Sequence, residues 1–130
     1  MTTTLTSISL NALPAIGADL DSGTFAGLTT RKDGTHCAVV LLPTKPTKIL
    51  AWKPAMTWAK KQDGELPTRP VAALLFANVK DKLEPTWHWT SDEDDASYAW
   101  TCYFYYGSQF NSHKSYEGSV VAVRLIPLTA

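Results

Sequence analysis

The chain has no excess of either charge, no long apolar run and almost no cysteine. Its 12 lysines and arginines are balanced by 12 aspartates and glutamates across 130 residues, so it lacks the broad basic field of a dedicated nucleic-acid binder. No apolar stretch approaches the ~20 residues that span a bilayer, and no membrane partner is expected. The opening segment, MTTTLTSISLNALPAIGADL, has neither a basic start nor a continuous apolar stretch. It does not read as a secretory signal, and synthesis in the cytoplasm is the expectation. Cys37 and Cys102 are the two cysteines. Without a signal they read as free thiols rather than a disulfide.

Other absences narrow the chemistry. No Gly-rich phosphate loop is present. His36, His88 and His113 share no ligand spacing and the cysteines do not cluster with them, which argues against zinc. The acidic run Ser91 to Asp95, SDEDD, lacks the interleaved ligands, central glycine and distant glutamate of an EF-hand, and reads as a solvated turn. No metal or cofactor is expected. Cys102 with a histidine is the only nucleophile pairing worth naming, and alternation in its strand puts the thiol on the core side. The chain does not read as an enzyme.

What is present suits one domain over residues 1–130, because 45% hydrophobic residues suffice for an ordinary core. Residues 1–20 are Thr-rich and weakly patterned, an extension or edge strand. GTFAGLTTRKDGTHCAVVLLP predicts a hairpin turning at Lys32, Asp33 and Gly34, since Asp and Gly tolerate positive φ. His36 to Leu42 is its returning, central strand, and Pro43 to Lys48 is a loop. Trp52, Ala55, Met56 and Ala59 then recur at i, i+3, i+4 and i+7, one face of a helix that Gly64 can end. A second helix follows, capped by Thr68 with Pro70 in its first turn. Its Val71, Leu74, Leu75 and Asn78 lie on one side and Ala72, Phe76 and Val79 on another, so it should be well buried. Arg69 and Arg124 are either ties between helices and sheet or exposed cations.

From Trp87 the pattern is β. TWHWTS is a short aromatic strand with His88 facing away from Trp87 and Trp89, DEDDAS a polar loop, GSQFNSHKSYEG a connection and SVVAVRLIPL a final strand. In YAWTCYFYYG, Trp100, Cys102 and Phe104 should face the core while Thr101, Tyr103 and Tyr105 face away. The order is hairpin, two helices, then antiparallel strands: an α+β domain.

Some of these segments resemble a known family. LPTRPVAALLFANV looks like the opening of the second helix of the Lcl-type C-terminal domain. WHWTSDEDDASYAW and GSQFNSHKSYEGSVVAVRL are similar to that family's Tyr-Trp-Thr-Ser and closing Val-Arg-Leu segments. The likeness runs from about Trp52 to Leu125. It departs at SVVAVRL, where relatives more often carry a basic or small pair before the valine and arginine. The family is common in bacterial surface proteins and prophages and is similar to C-type-lectin-like domains. The resemblance therefore implies an N-terminal hairpin, two helices and a small antiparallel sheet bearing a ligand-facing surface, and it adds virion association to the expected locations.

Some such domains resemble the variable proteins of diversity-generating retroelements, whose codons are rewritten at adenines. The residues at Thr101, Tyr103, Tyr105, Tyr106, Ser108, Phe110, Asn111 and Ser112 are all reachable by such rewriting of an asparagine codon. Gln109 and Lys114 are not, and would be framework.

The segment TCYFYYGSQFNSH (101–113) therefore reads as a contact surface. Tyr gives large, rigid contact area with a hydrogen-bonding tip, and Ser and Asn adapt around it. The ligand-binding residues expected are Thr101, Tyr103, Tyr105, Tyr106, Ser108, Phe110, Asn111, Ser112 and His113. The target expected is a protein or a surface glycan. The alternative is a phage-encoded structural or host-regulatory subunit that uses the same face to form a homo-oligomer or to inhibit a host protein.

Overall fold

Asp33 and Gly34 turn the chain as their chemistry requires. Asp33 Oδ1 accepts from the Thr35 N–H at 2.9 Å, and Gly34 takes φ +90°. In the computed structural model, which describes residues 5–129, this turn joins β2 (Gly23–Thr30) to β3 (His36–Leu41). A two-residue β1 (Asp19–Leu20) pairs outside β2. The last strand, β7 (Val123–Pro127), runs antiparallel along the other side of β3, which makes a four-stranded sheet ordered β1-β2-β3-β7. A second antiparallel sheet is ordered β4-β5-β6, from β4 (Trp87–Glu93), β5 (Tyr98–Tyr103) and β6 (Ser108–His113). The architecture is α+β, with two helices and two antiparallel sheets. Of the opening segment, Ile8 lies beside Leu128 at the edge of β7, while residues 1–4 lie outside the described residues.

Two expectations about the strands are corrected. The segment expected to be a mere connection contains β6, paired with β5 from Tyr98↔His113 to Tyr103↔Ser108. The apolar run expected as one final strand of the second group is divided. Ser119 bonds to Trp87 and Trp89 of β4, Ala122 accepts from Leu42, Val123 exchanges bonds with Glu65, and only then does β7 begin in the first sheet. Val120, Val121, Ala122 and Val123 are all buried because this segment passes between the two sheets. That burial, rather than strand pairing, accounts for its continuous hydrophobicity.

The helices α1 (Trp52–Lys61) and α2 (Arg69–Val79) each close one layer of core. Trp52, Ala55 and Ala59 of α1 are buried with Phe25, Ala38, Val40, Trp89, Ala99 and Ile126. Val71, Ala72, Leu75 and Val79 of α2 are buried with Cys37, Val39, Leu41, Cys102, Phe104 and Leu125. Alternate residues of each sheet thus feed opposite layers. The Thr68 cap forms, its Oγ1 accepting from the Val71 N–H at 3.3 Å. Asn78 Nδ2 donates to Ala26 O at 2.7 Å, where β2 bulges.

The end of α1 differs from expectation. The left-handed residue is Asp63 (φ +59°), not Gly64. Glycine is required at 64 for space: a Cβ there would lie 2.7 Å from Val123 O and 2.9 Å from Leu42 Cδ1. Arg124 fastens this turn to another. Its Nε donates to Asp63 O at 3.0 Å, and its Nη1 meets Asp21 Oδ2 at 3.0 Å, where Asp21 and Ser22 also have positive φ. Gly64→Ala should therefore lower stability by about 1–3 kcal/mol through forced overlap with main chain. Gly34→Ala, whose Cβ meets nothing within 4 Å, should cost about 1 kcal/mol for its backbone alone. Urea unfolding of both variants measures the difference, and equal losses would refute the packing argument.

Candidate functional site

Strand pairing decides which side chains of the second sheet share a face. Trp87 stands opposite Tyr103, Trp89 opposite Thr101, and Thr101 opposite Phe110. Lower on this face, Trp89 and Ala99 are sealed beneath α1. Towards the other end no helix covers it and the rings emerge. Trp87 stacks on Tyr103 at 4.8 Å between centroids, with Phe110 edge-on to Trp87 at 5.3 Å. Tyr103 continues to Tyr105 at 6.0 Å and Tyr106 at 5.9 Å, and those two meet edge to face at 4.6 Å. Five rings thus form one continuous ridge whose offset and edge-on contacts are the favoured aromatic arrangements. Every exposed Phe, Tyr or Trp among the described residues falls between Trp87 and Tyr116, with Tyr106 and Tyr116 open to 70% and 71%.

Beside the ridge lies an open hollow of about 670 Å³. Trp87, Trp89, Thr101, Phe110 and Ser112 line its strand side, and Ile49, Tyr116, Glu117, Gly118 and Ser119 its far side. Tyr98, Asn111 and His113 complete the wall. The surface is aromatic, weakly charged and rimmed by hydroxyl and amide groups.

The residues singled out from sequence are brought together, with different exposures. Tyr105, Tyr106, Phe110, Asn111 and His113 are exposed, and Tyr103, Ser108 and Ser112 are half-buried. Thr101 is only 3% exposed. Its Oγ1 donates to Phe110 O at 3.0 Å, so it forms the floor of the hollow and fixes β5 to β6. Trp100 does not enter the core as expected; it is half-buried, with the Arg69 guanidinium 3.7 Å above its ring. Trp87 and Trp89 share the face opposite His88, as alternation has it, but Trp87 is exposed and Trp89 fully buried. Trp87, Tyr98, Tyr116 and Ile49 were missed as parts of the surface. Trp87 could have been found from its alternation with His88, but the loop residues carry no local signal.

The site is held by polar ties behind it. Arg69 and Gln109 bond reciprocally, Arg69 Nε to Gln109 Oε1 and Gln109 Nε2 to Arg69 O, both at 2.9 Å. Lys114 Nζ donates to Glu93 Oε2 at 2.6 Å and Ala96 O at 3.0 Å, and lies 4.6 Å over the Trp52 ring. The acidic run is dispersed among separate partners. Asp92 accepts from the Arg69 N–H, Asp94 from Asn111, and Asp95 from the Ser97 and Tyr98 N–H groups. Among the described residues no three His, Cys, Asp or Glu side chains converge to hold a metal ion, and no helix is long and apolar enough to cross a membrane.

Behind the sheet, Cys102 and His88 are cross-strand neighbours and both are buried. Burial pushes the thiol up to about 11, against a weaker opposing hydrogen bond from Gln109. Burial likewise pushes the imidazole down to about 4, with the Thr86 carbonyl and Glu84 pulling weakly the other way. Both groups are therefore neutral near pH 7, the reverse of an activated thiolate–imidazolium pair. Compared with protein-family models and with curated proteins, the chain gives no match.

His88 makes stability depend on pH. The unfolded imidazole titrates near 6.5, so stability is fully present above that pH. It falls as pH drops from 6.5 towards 4, where the unfolded chain takes up a proton that the folded one refuses. The loss should total roughly 3 kcal/mol at most. His88→Asn, which retains a donor for the Thr86 carbonyl, should remove that component of the slope. Urea midpoints at pH 7 and pH 4.5 test this, and equal slopes in the two proteins would refute it.

Proposed function

We propose that this is a C-type-lectin-like recognition domain, not an enzyme, that binds a protein or surface glycan through the ring ridge and the adjoining hollow. The supporting observation is the continuous ridge in which exposed Tyr106, Tyr105, Trp87 and Phe110 are joined through the half-buried Tyr103. Rings preordered by one another lose little freedom on binding, and burying them supplies affinity. The surrounding Ser112, Asn111 and His113 supply directional hydrogen bonds. An exposed aromatic cluster has no role in the monomer's own core, and such clusters mark interaction sites.

We further propose that this surface is the diversified region of a retroelement variable protein carried by a phage or prophage. The division of labour along β6 supports the reading. Within residues 101–114, Gln109 and Lys114, the two positions that adenine rewriting cannot reach, tie β6 and its exit to Arg69, Glu93 and Trp52. The reachable Tyr105, Tyr106 and Phe110 project outward. A fixed frame would thus carry replaceable side chains. A reverse transcriptase gene beside the coding sequence, with a near-copy of its final bases differing at adenines, is the expected genomic finding; a locus with neither would overturn the diversification reading.

The contact surface is tested separately by titrating the protein against arrayed glycans and displayed peptide libraries. For any ligand so selected, Trp87→Ala or Tyr106→Ala should cost about 2 kcal/mol, roughly thirtyfold in Kd, with little change in Tm. Selected ligands indifferent to both substitutions would refute the assignment of the face.

A further inference from the structure

We propose that two copies of the chain pair antiparallel along β6, about a twofold axis through Phe110. The edges of the sheets carry the argument. The outer edge of β4 is covered by Ser119, and that of β7 by Ile8 and Glu65. The free part of β2 is bulged at Ala26–Gly27, a device that blunts an edge. β6 has none of these protections. It spans six residues without bulge, proline or formal charge, and lies at the end of its sheet.

The ladder fixes which main-chain groups are open. The Lys114 N–H donates to Ser97 O at 2.8 Å, in continuation of the β5–β6 register. Antiparallel alternation then turns the main chain of Ser112, Phe110 and Ser108 towards β5, and that of His113, Asn111 and Gln109 outward. Among the described residues neither Gln109 nor Asn111 makes a main-chain bond on that outer side. Pairing Gln109 with Asn111 of a second copy, and the reverse, satisfies all four of their N–H and C=O groups. The register centred on Phe110 does this without drawing on His113, whose carbonyl already accepts from the Tyr116 N–H at 2.9 Å.

The same register is chemically self-complementary. It sets Phe110, 52% exposed, directly opposite its own copy, an aromatic cross-strand pair of the stabilising kind. It also brings the neighbourhood of Gln109, which holds Arg69, towards that of the copy's Asn111, which holds Asp94. Opposite charges approach on both sides of the axis, as an isologous interface requires. The result is a continuous six-stranded sheet that carries two ring ridges.

Sedimentation equilibrium of the intact chain from micromolar to millimolar concentration tests the pairing. The expected result is a monomer–dimer equilibrium that Phe110→Lys weakens at least tenfold by opposing like charges at the axis. Hydrogen exchange on the unmodified protein gives a second reading independent of the variant's folding. Gln109 and Asn111 amides should gain protection as concentration rises, while the Phe110 amide, bonded to β5, stays protected throughout. A monomer at every concentration, a dimer indifferent to Phe110→Lys, or a dimer with unprotected Gln109 and Asn111 amides would each overturn the proposal. A monomer that still binds a selected ligand through Trp87 and Tyr106 would do so while leaving the recognition function standing.

Discussion

Two buried indoles exchange hydrogen bonds across the junction of helix and sheet, and the ring face depends on them. Trp52, at the start of α1, donates Nε1–H to Thr90 O of β4, and Trp89 of β4 donates to Leu50 O just before the helix, both at 2.9 Å. Each ring fills the α1 layer of core while its single polar atom finds a main-chain carbonyl. A buried donor left without such a partner would cost about 1–3 kcal/mol. These bonds therefore specify one placement of β4 against α1 and not merely a hydrophobic contact. A three-stranded sheet has little core of its own, and here it borrows both helices.

The order of the ring ridge follows from that placement. Thr101 locks β5 to β6, and the Arg69–Gln109 exchange anchors β6 to the first turn of α2. The tip that carries Tyr105 and Tyr106 turns at Gly107, which has φ +82° and sits directly on the Phe76 ring, with no room for a Cβ. The rings are thus mounted on main chain held from beneath by both helices. The packing of the exposed rings is therefore not needed to hold the sheet together.

Local pattern made much of the frame readable. The spacing of Trp52, Ala55 and Ala59, the Thr68 cap and the Asp33–Gly34 turn all depend on neighbours within a few residues, and all have the expected form. Alternation correctly put Cys102 and Phe104 inside. It failed for Trp100 because a cation from α2, 31 residues earlier, covers that ring at the surface. β6 escaped notice because an edge strand with a polar, uncharged outer side has neither the β-branched run nor the alternation that marks a central one. The hollow was only half legible. Its strand side lies in one aromatic segment, but Ile49 and Tyr116 reach it through loops whose courses depend on tertiary pairing, Leu50 with Gly118 among them.

The bridge between Ile8 and Leu128 has an architectural consequence. With Ile8 N–H bonded to Pro127 O and Thr129 N–H to Ile8 O, incoming and outgoing chain share a single doorway. Spliced into a surface loop of a carrier protein, the fold would replace a hairpin tip without stretching the host backbone, because its two attachment points are one strand spacing apart.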